Sequence, residues 1–281
     1  MRQLQDIDQE RASMMTIVQL TSAFETLASM RISQIKNQVL QAQGFFDELW
    51  NIYIQLRVDS IFRFGRHNTQ QVIDKDLYII ITATGGFGGD IDQRVINKTL
   101  EDYDPTKQDI IIVGRHGSVL LAQQGIKFKR FFELPASDHN INVEPLVQEI
   151  GQYKNSFVYY QTYISLMNQE IKRLELSTAI KQFNSLAGES KDVISEATYI
   201  FEPSAFDVAA HLERSMLQIT LGQVIFDSKL AQYASRFRAM SAANDKSKES
   251  FSDLNTLYNR TKRAIRDAQL KQIIIGLKMQ A

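Results

Sequence analysis

Helix breakers in this chain are confined to its middle. All four prolines (Pro105, Pro135, Pro145, Pro203) and ten of the thirteen glycines lie between Gly65 and Pro203. The flanks carry only Gly44 on one side and Gly222 and Gly276 on the other. Inside a helix proline costs roughly 3 kcal/mol and glycine about 1 relative to alanine. A chain that keeps both away from its ends is free to build long, uninterrupted helices there, with a shorter-element domain between them.

The apolar period supports this. In the first flank Met14, Ile17, Phe24, Ala28, Ile35, Ala42, Phe45, Leu49, Ile52 and Leu56 recur mostly at three- and four-residue steps or their sum. Thr21, Arg31 and Gln38 interrupt the same stripe. A spacing near 3.5 residues held this long predicts a coiled-coil seam, locally weakened by its polar members. In the last flank, Pro203–Ser204 gives a start signal. Val208, Leu212, Leu217, Leu221, Val224, Ala231 and Ala234 then share one face, and Leu254, Leu257, Tyr258, Ala264, Ile265, Leu270 and Ile273 resume it after a polar stretch. From Ser204 to Gly276 one helix would measure about 110 Å at ~1.5 Å per residue. A helix of that length with one apolar face needs a helical partner, and the first flank is the one at hand.

The middle alternates strand and helix patterns. Strands are expected at Leu77–Thr82, Asp109–Gly114, Lys127–Leu134, Phe157–Ile164, Ile171–Leu176 and Ala197–Phe201, and helices at Asp90–Glu101, Gly117–Gln124 and Val143–Tyr153. Such alternation suggests a small α/β, Rossmann-like domain with a largely parallel sheet. The expected fold class is thus α/β, with this domain inserted between two long helices that form an antiparallel coiled coil. The divisions are 1–62 for the first arm, 72–202 for the α/β domain and 203–281 for the second arm.

Several function classes are disfavoured. Lys plus Arg balances Asp plus Glu at 32 each, against the cation excess of a general nucleic-acid binder. With no cysteine there is no disulfide, thiolate metal site or thiol catalysis. The polar start MRQLQDIDQERASMM lacks the apolar core of a signal peptide, and runs such as Ile79–Ile81, Ile110–Val113 and Ile273–Ile275 are too short to span a bilayer. The chain reads as soluble, reaching a membrane only through a partner.

The search for chemistry finds little. Thr84-Gly85-Gly86-Phe87-Gly88-Gly89 sits after a strand and before a helix, where a phosphate-cradling loop would lie. It lacks the following Lys-Ser/Thr and a clean GxGxxG, and Asp90 and Asp92 would repel phosphate. A tight crossover with close backbone packing is the favoured reading. The histidines (His67, His116, His139, His211) are scattered, none paired with a carboxylate or second histidine at ligand spacing, and His116 in Gly114-Arg115-His116-Gly117 has a catalytic reading beside the favoured one of a solvated loop histidine. The pairs Asp90/Asp92 and Asp102/Asp104 suit helix ends and turns as well as acid–base work. The basic run Arg260, Lys262, Arg263, Arg266 is either a solvated helix face or a patch for acidic loops of a protein partner.

The last flank carries a family resemblance. Ala234-Ser235-Arg236-Phe237-Arg238-Ala239-Met240-Ser241-Ala242-Ala243-Asn244-Asp245 resembles the A-A-R-M-x-A-M-x-A-A-T-D stretch of gamma subunits of F-type ATPases, the central stalk of those rotary machines. Asn259-Arg260-Thr261-Lys262-Arg263-Ala264-Ile265 is similar to their N-K-x-R-Q-A-x, and Tyr199-Ile200-Phe201-Glu202-Pro203 to Y-I-Y-E-P. The glycine loop resembles R-G-L-C-G-G, and Leu20-Thr21-Ser22-Ala23-Phe24-Glu25 resembles I-T-K-A-M-E. The five stretches occur in the family's order and span nearly the whole chain. The family's lysine that engages a nucleotide-binding partner falls on Arg31, its Arg-Gln pair on Lys262-Arg263, and its I-T-x-E on Arg266-Asp267-Ala268-Gln269.

The resemblance implies a non-catalytic rotor subunit without cofactor or metal. Its paired arms would enter a ring of alpha and beta subunits, and ATP would be made or hydrolysed on beta. An asymmetric shaft acts by contacting each catalytic subunit differently, because only differential contact shifts a conformational equilibrium. Arg31, Lys262, Arg263 and Arg266 would be partner-binding cations for acidic loops on beta. Glu202 would belong to the foot that meets epsilon and the membrane c-ring. The apolar end Ile273–Ile275 with Leu277 and Met279 would turn inside a sleeve. The chain would sit peripheral to a membrane, on the cytoplasmic face in a bacterium. The alternatives are a nucleotide-binding α/β protein with helical oligomerisation arms and a non-rotary coiled-coil scaffold.

Overall fold

The structure is a computed structural model and describes residues 4–56, 73–134, 141–176, 202 and 205–280. Two long helices, α1 (Leu4–Leu56, 53 residues) and α5 (Ala205–Gln280, 76 residues), flank the shorter elements. Between them come β1 (Ile73–Ile81), α2 (Ile91–Leu100), β2 (Gln108–Val113), α3 (Arg115–Gln123), β3 (Arg130–Phe132), α4 (Glu144–Ile150), β4 (Tyr153–Tyr163) and β5 (Gln169–Glu175). Among the described residues the fold is mixed α/β with one five-stranded sheet. The chain divides into two compact units, one of Met1–Ala28 with Phe237–Ala281 and one of Ser29–Arg236.

In the first unit the ends of the two long helices touch. Arg11 donates to Asn255 Oδ1 at 3.3 Å and lies 4.4 Å from the Tyr258 ring centroid. Thr21 Oγ1 meets Asn244 Oδ1 at 3.4 Å, and Asn244 Nδ2 donates to Glu25 at 3.2 Å. Partners fall along α5 as they rise along α1, so these two segments run antiparallel. Ile7, Thr21 and Ala28 are buried on α1, and Met240, Asn244 and Ser247 on α5. Thr21 and Asn244 are polar members of this buried contact.

In the second unit the sheet order is β3-β2-β1-β4-β5, with β1 to β4 parallel and β5 antiparallel at the edge. Side chains alternate across a strand. Leu77, Ile79 and Ile81 therefore join Ile111, Val113, Val158 and Tyr160 on one face. Tyr78 and Ile80 join Ile110, Ile112 and Tyr159 on the other. Val95, Ile96 and Leu121 from α2 and α3 cover this second face. Leu146, Val147 and Ile150 of α4 cover the first together with Leu217, Leu221, Val224 and Ile225 of α5. The long helix thus supplies part of the α/β core.

Some boundaries differ from the sequence expectation. Helix α4 stops at Ile150 with Gly151 as its cap, and Tyr153, expected in the helix, opens β4. Strand β3 has three residues where eight were expected. The expected strand Ala197–Phe201 lies outside the described residues.

Candidate functional site

In parallel α/β sheets ligands settle beyond the carboxyl ends of the strands, where the strand order reverses. Here that place lies between β1 and β4, and the glycine loop runs over it. Its carbonyls are taken by α5. Ser235 Oγ donates to Gly88 O at 2.7 Å, while Arg236 donates to Gly86 O at 3.1 Å and to Gly85 O at 3.3 Å. A phosphate cradle offers N–H groups. This loop instead offers carbonyl oxygens to a helix of its own chain. The clasp holds Phe87 in the left-handed region at φ 65°, exposed by 63%, a conformation costing a non-glycine residue about 1–3 kcal/mol.

Beneath the loop lies a polar cluster. Asp92, whose side chain is only 3% exposed, accepts from the Ala83 N–H at 3.2 Å and from Gln161 Nε2 at 2.9 Å. His116 Nδ1 lies 2.7 Å from its Oδ2. Gln161 Oε1 accepts a hydrogen bond from Ser228 and a longer one, 3.5 Å, from Gln232. The hydrogen bond that His116 donates to Asp92 raises the His116 pKa above its ordinary value, against burial, which lowers it. Nearby Asp227 accepts from Thr162 Oγ1 at 2.6 Å and from the Tyr163 N–H. Burial, and then Asp227, push the Tyr160 phenol up to about 12.

Two glycines bring His116 to Asp92. Gly114 has φ 99°, and a Cβ there would fall 2.1 Å from the Thr82 carbonyl oxygen. A Cβ on Gly117 would lie 2.5 Å from both Thr82 Cγ2 and Oγ1. Their bareness lets the first turn of α3 close onto the end of β1. There the His116 N–H donates to Ala83 O at 2.9 Å and the Gly117 N–H to Thr82 Oγ1 at 3.1 Å. His116 is therefore not the solvated loop histidine that its flanking glycines suggest. It opens a helix and pairs with a buried carboxylate 24 residues away.

Sequence spacing missed this cluster because its members lie far apart along the chain. One signal was available. Asp92 shares a helical face with Val95, Ile96 and Thr99, all buried, and a carboxylate on such a stripe must find partners. His211 lies exposed on α5, while His67 and His139 fall outside the described residues.

The expected partner-binding residues are on the long helices and beside them. Arg31 is exposed on α1, 3.3 Å from Gln34 Oε1, and Glu202 is exposed just before α5. Both belong to the unit of residues Ser29–Arg236. Arg263 and Arg266 are exposed on α5 and Lys262 is half-buried, 5.5 Å from the Tyr258 ring centroid, all in the other unit. Beyond them Leu270, Ile273, Ile274, Ile275 and Leu277 are exposed by 53–63%. No helix among the described residues is long and apolar enough to cross a membrane.

Residues 3–278 match the family described as ATP synthase. Among similar proteins are the ATP synthase gamma chains of Staphylococcus aureus, 23% identical, and of Desulfitobacterium hafniense, 22% identical, each alignment covering 98% of both chains. Among solved structures, the fold is similar to a chain of the Tetrahymena thermophila mitochondrial ATP synthase central stalk and c-ring. The TM-score there is 0.56 at 14% identity, over 80% of this chain and 99% of that one. A chain of the Euglena gracilis mitochondrial ATP synthase rotor gives 0.52 at 14% identity, over 90% and 99%.

Proposed function

We propose a function from one premise: this chain belongs to the ATP synthase family, among its gamma chains. It is the central-stalk rotor subunit of an F1-type ATPase. It couples rotation to ATP synthesis or hydrolysis on partner beta subunits and performs no catalysis itself. The observation that carries this reading is the full-length family match, joined to an α5 whose last turns leave Leu270, Ile273, Ile274, Ile275 and Leu277 in the open. Large exposed apolar patches mark interaction sites, and a sleeve of alpha and beta subunits would cover this one.

In this reading residues 1–62 and 203–281 are the arms of an antiparallel coiled coil and 72–202 are the foot. The Arg11–Asn255 and Thr21–Asn244 contacts support the pairing of the arms. Arg31, Lys262, Arg263 and Arg266 engage acidic loops of the catalytic ring. Glu202 and the foot meet epsilon and the c-ring. The chain is peripheral to the membrane, on its cytoplasmic face in a bacterium. The nucleotide-binding alternative is disfavoured because the glycine loop turns its Gly85, Gly86 and Gly88 carbonyls to Ser235 and Arg236, the opposite polarity to a phosphate cradle.

Purifying the tagged chain from its native cells in mild detergent tests the reading. Alpha and beta subunits should co-purify in excess over the bait, whereas the bait alone or as a homodimer would overturn it. Within the recovered complex, Arg31→Ala combined with Arg263→Ala should lower the ion gradient sustained per ATP hydrolysed. Unchanged coupling would remove those two residues from the interface.

A further inference from the structure

A continuous line of hydrogen bonds joins a solvent-accessible histidine to the buried side of α5. It runs from His116, with 38% of its side chain exposed, through Asp92 and Gln161 to Ser228 and Gln232. Every member after His116 is buried. We propose that His116 is a proton-operated latch: protonated, it holds α5 down on the sheet edge between Ser228 and Arg236, and neutral, it lets this stretch of helix lift more readily.

The argument is one of charge balance. A carboxylate as enclosed as Asp92 is costly unless its charge is answered and its lone pairs are filled. The Ala83 N–H and Gln161 fill lone pairs but bring no charge. The imidazolium brings one, at hydrogen-bond distance. Neutral imidazole keeps the Nδ1–H bond by choice of tautomer, yet the charge is gone. Asp92 then gains by turning to water. That change withdraws the acceptor that orients Gln161, whose own oxygen is the acceptor for Ser228 and Gln232.

Asp92 is the charged group that acts on His116. From α5, Asp227 is held by Thr162 and Tyr163, Arg236 is spent on the glycine-loop carbonyls, and Lys229 is buried. From α2, Arg94 reaches Gln169 O at 3.4 Å, Asp90 at the N-cap position is exposed and makes no side-chain capping bond, and Arg115 is exposed at the start of α3. Tyr160 on β4, at about 12, stays neutral throughout the range that matters.

The sign follows from the raised pKa of His116. The latch contributes fully below the unfolded histidine value of about 6.5 and fades as pH rises through the folded value. The α/β unit therefore holds α5 more firmly at pH 6 than at pH 8. This inference stands apart from the rotor reading, since it concerns a joint within one compact unit.

Two measurements on the full-length chain test it. In NMR titration the ring of His116, assigned by its loss in His116→Gln, should titrate above about 6.5. Hydrogen exchange, corrected for intrinsic rate, should run several-fold faster at pH 8 than at pH 6 in peptides covering 225–236, with little change in peptides from α4. His116→Gln should abolish that pH difference. A His116 pKa at or below the free value, or an equal pH response in the variant, overturns the latch, and the wild-type titration decides even if the variant folds poorly.

Discussion

Two runs of three isoleucines in this chain meet opposite fates. Ile79–Ile81 in β1 are 0% exposed, whereas Ile273–Ile275 in α5 are 53–59% exposed. In a strand, successive side chains point to opposite faces, so two covering layers bury all three. In a helix they fan out by about 100° each, so no single neighbouring helix can cover them. The α/β core meets its apolar demand with α2, α3, α4 and a stretch of α5. The end of α5 meets its demand only if something surrounds it. Apolar content alone does not separate a core from an interface; the backbone period does.

The contrast can be attacked at the core first. Leu221 on α5 is fully buried against the sheet. Leu221→Ala should cost about 2–5 kcal/mol in urea unfolding, and a loss below about 1 would mean that α5 is not part of that core. Gly117→Val comes next, because its Cβ would collide with Thr82 and lie 2.9 Å from Ile112 Cδ1. Overpacking of this kind costs about 1–3 kcal/mol, and the displaced α3 should also shift the His116 NMR signal. At the seam of the first unit, Thr21→Val should change stability by less than about 1 kcal/mol, since Asn244 keeps its bond to Glu25. The smallest effect belongs to the α5 end. Ile274→Ser should alter the unfolding midpoint of the isolated chain by no more than about 0.5 kcal/mol, while lowering recovery of alpha and beta subunits. A large loss of stability there would show that the run is covered within the chain.

Much of the fold was legible because period and breakers agree. The long helices follow from the exclusion of proline and glycine, and β1, β2 and β4 from apolar runs between punctuation. Boundaries failed where local sequence and packing disagree. Ile73-Asp74-Lys75-Asp76 reads as polar yet extends β1, because β4 pairs with Ile73 and Asp76 across an irregularity and β2 pairs with Asp76. At the site, the glycine loop is the expected strand-to-helix crossover but lacks the expected close backbone packing, since a Cβ at Gly85, Gly86, Gly88 or Gly89 would meet nothing nearer than 3.5 Å. The residues that fill its crevice come from more than 140 positions later, and no local pattern announces such a contact. Asp92 alone, misplaced on an apolar helical stripe, pointed toward the hidden cluster.

The loan of Leu217, Leu221, Val224 and Ile225 to the sheet has a consequence for biosynthesis. A ribosome releases residues in order, and domains usually mature as they emerge. Here the α/β domain has all five of its described strands by Glu175 but cannot close one face until α5 has cleared the exit tunnel. Its sheet must wait with that face covered only in part, by α4, while the last part of the chain is still being made. Nascent chains halted shortly after Ser204 should therefore be open to protease in the very segment that is most resistant in the finished protein.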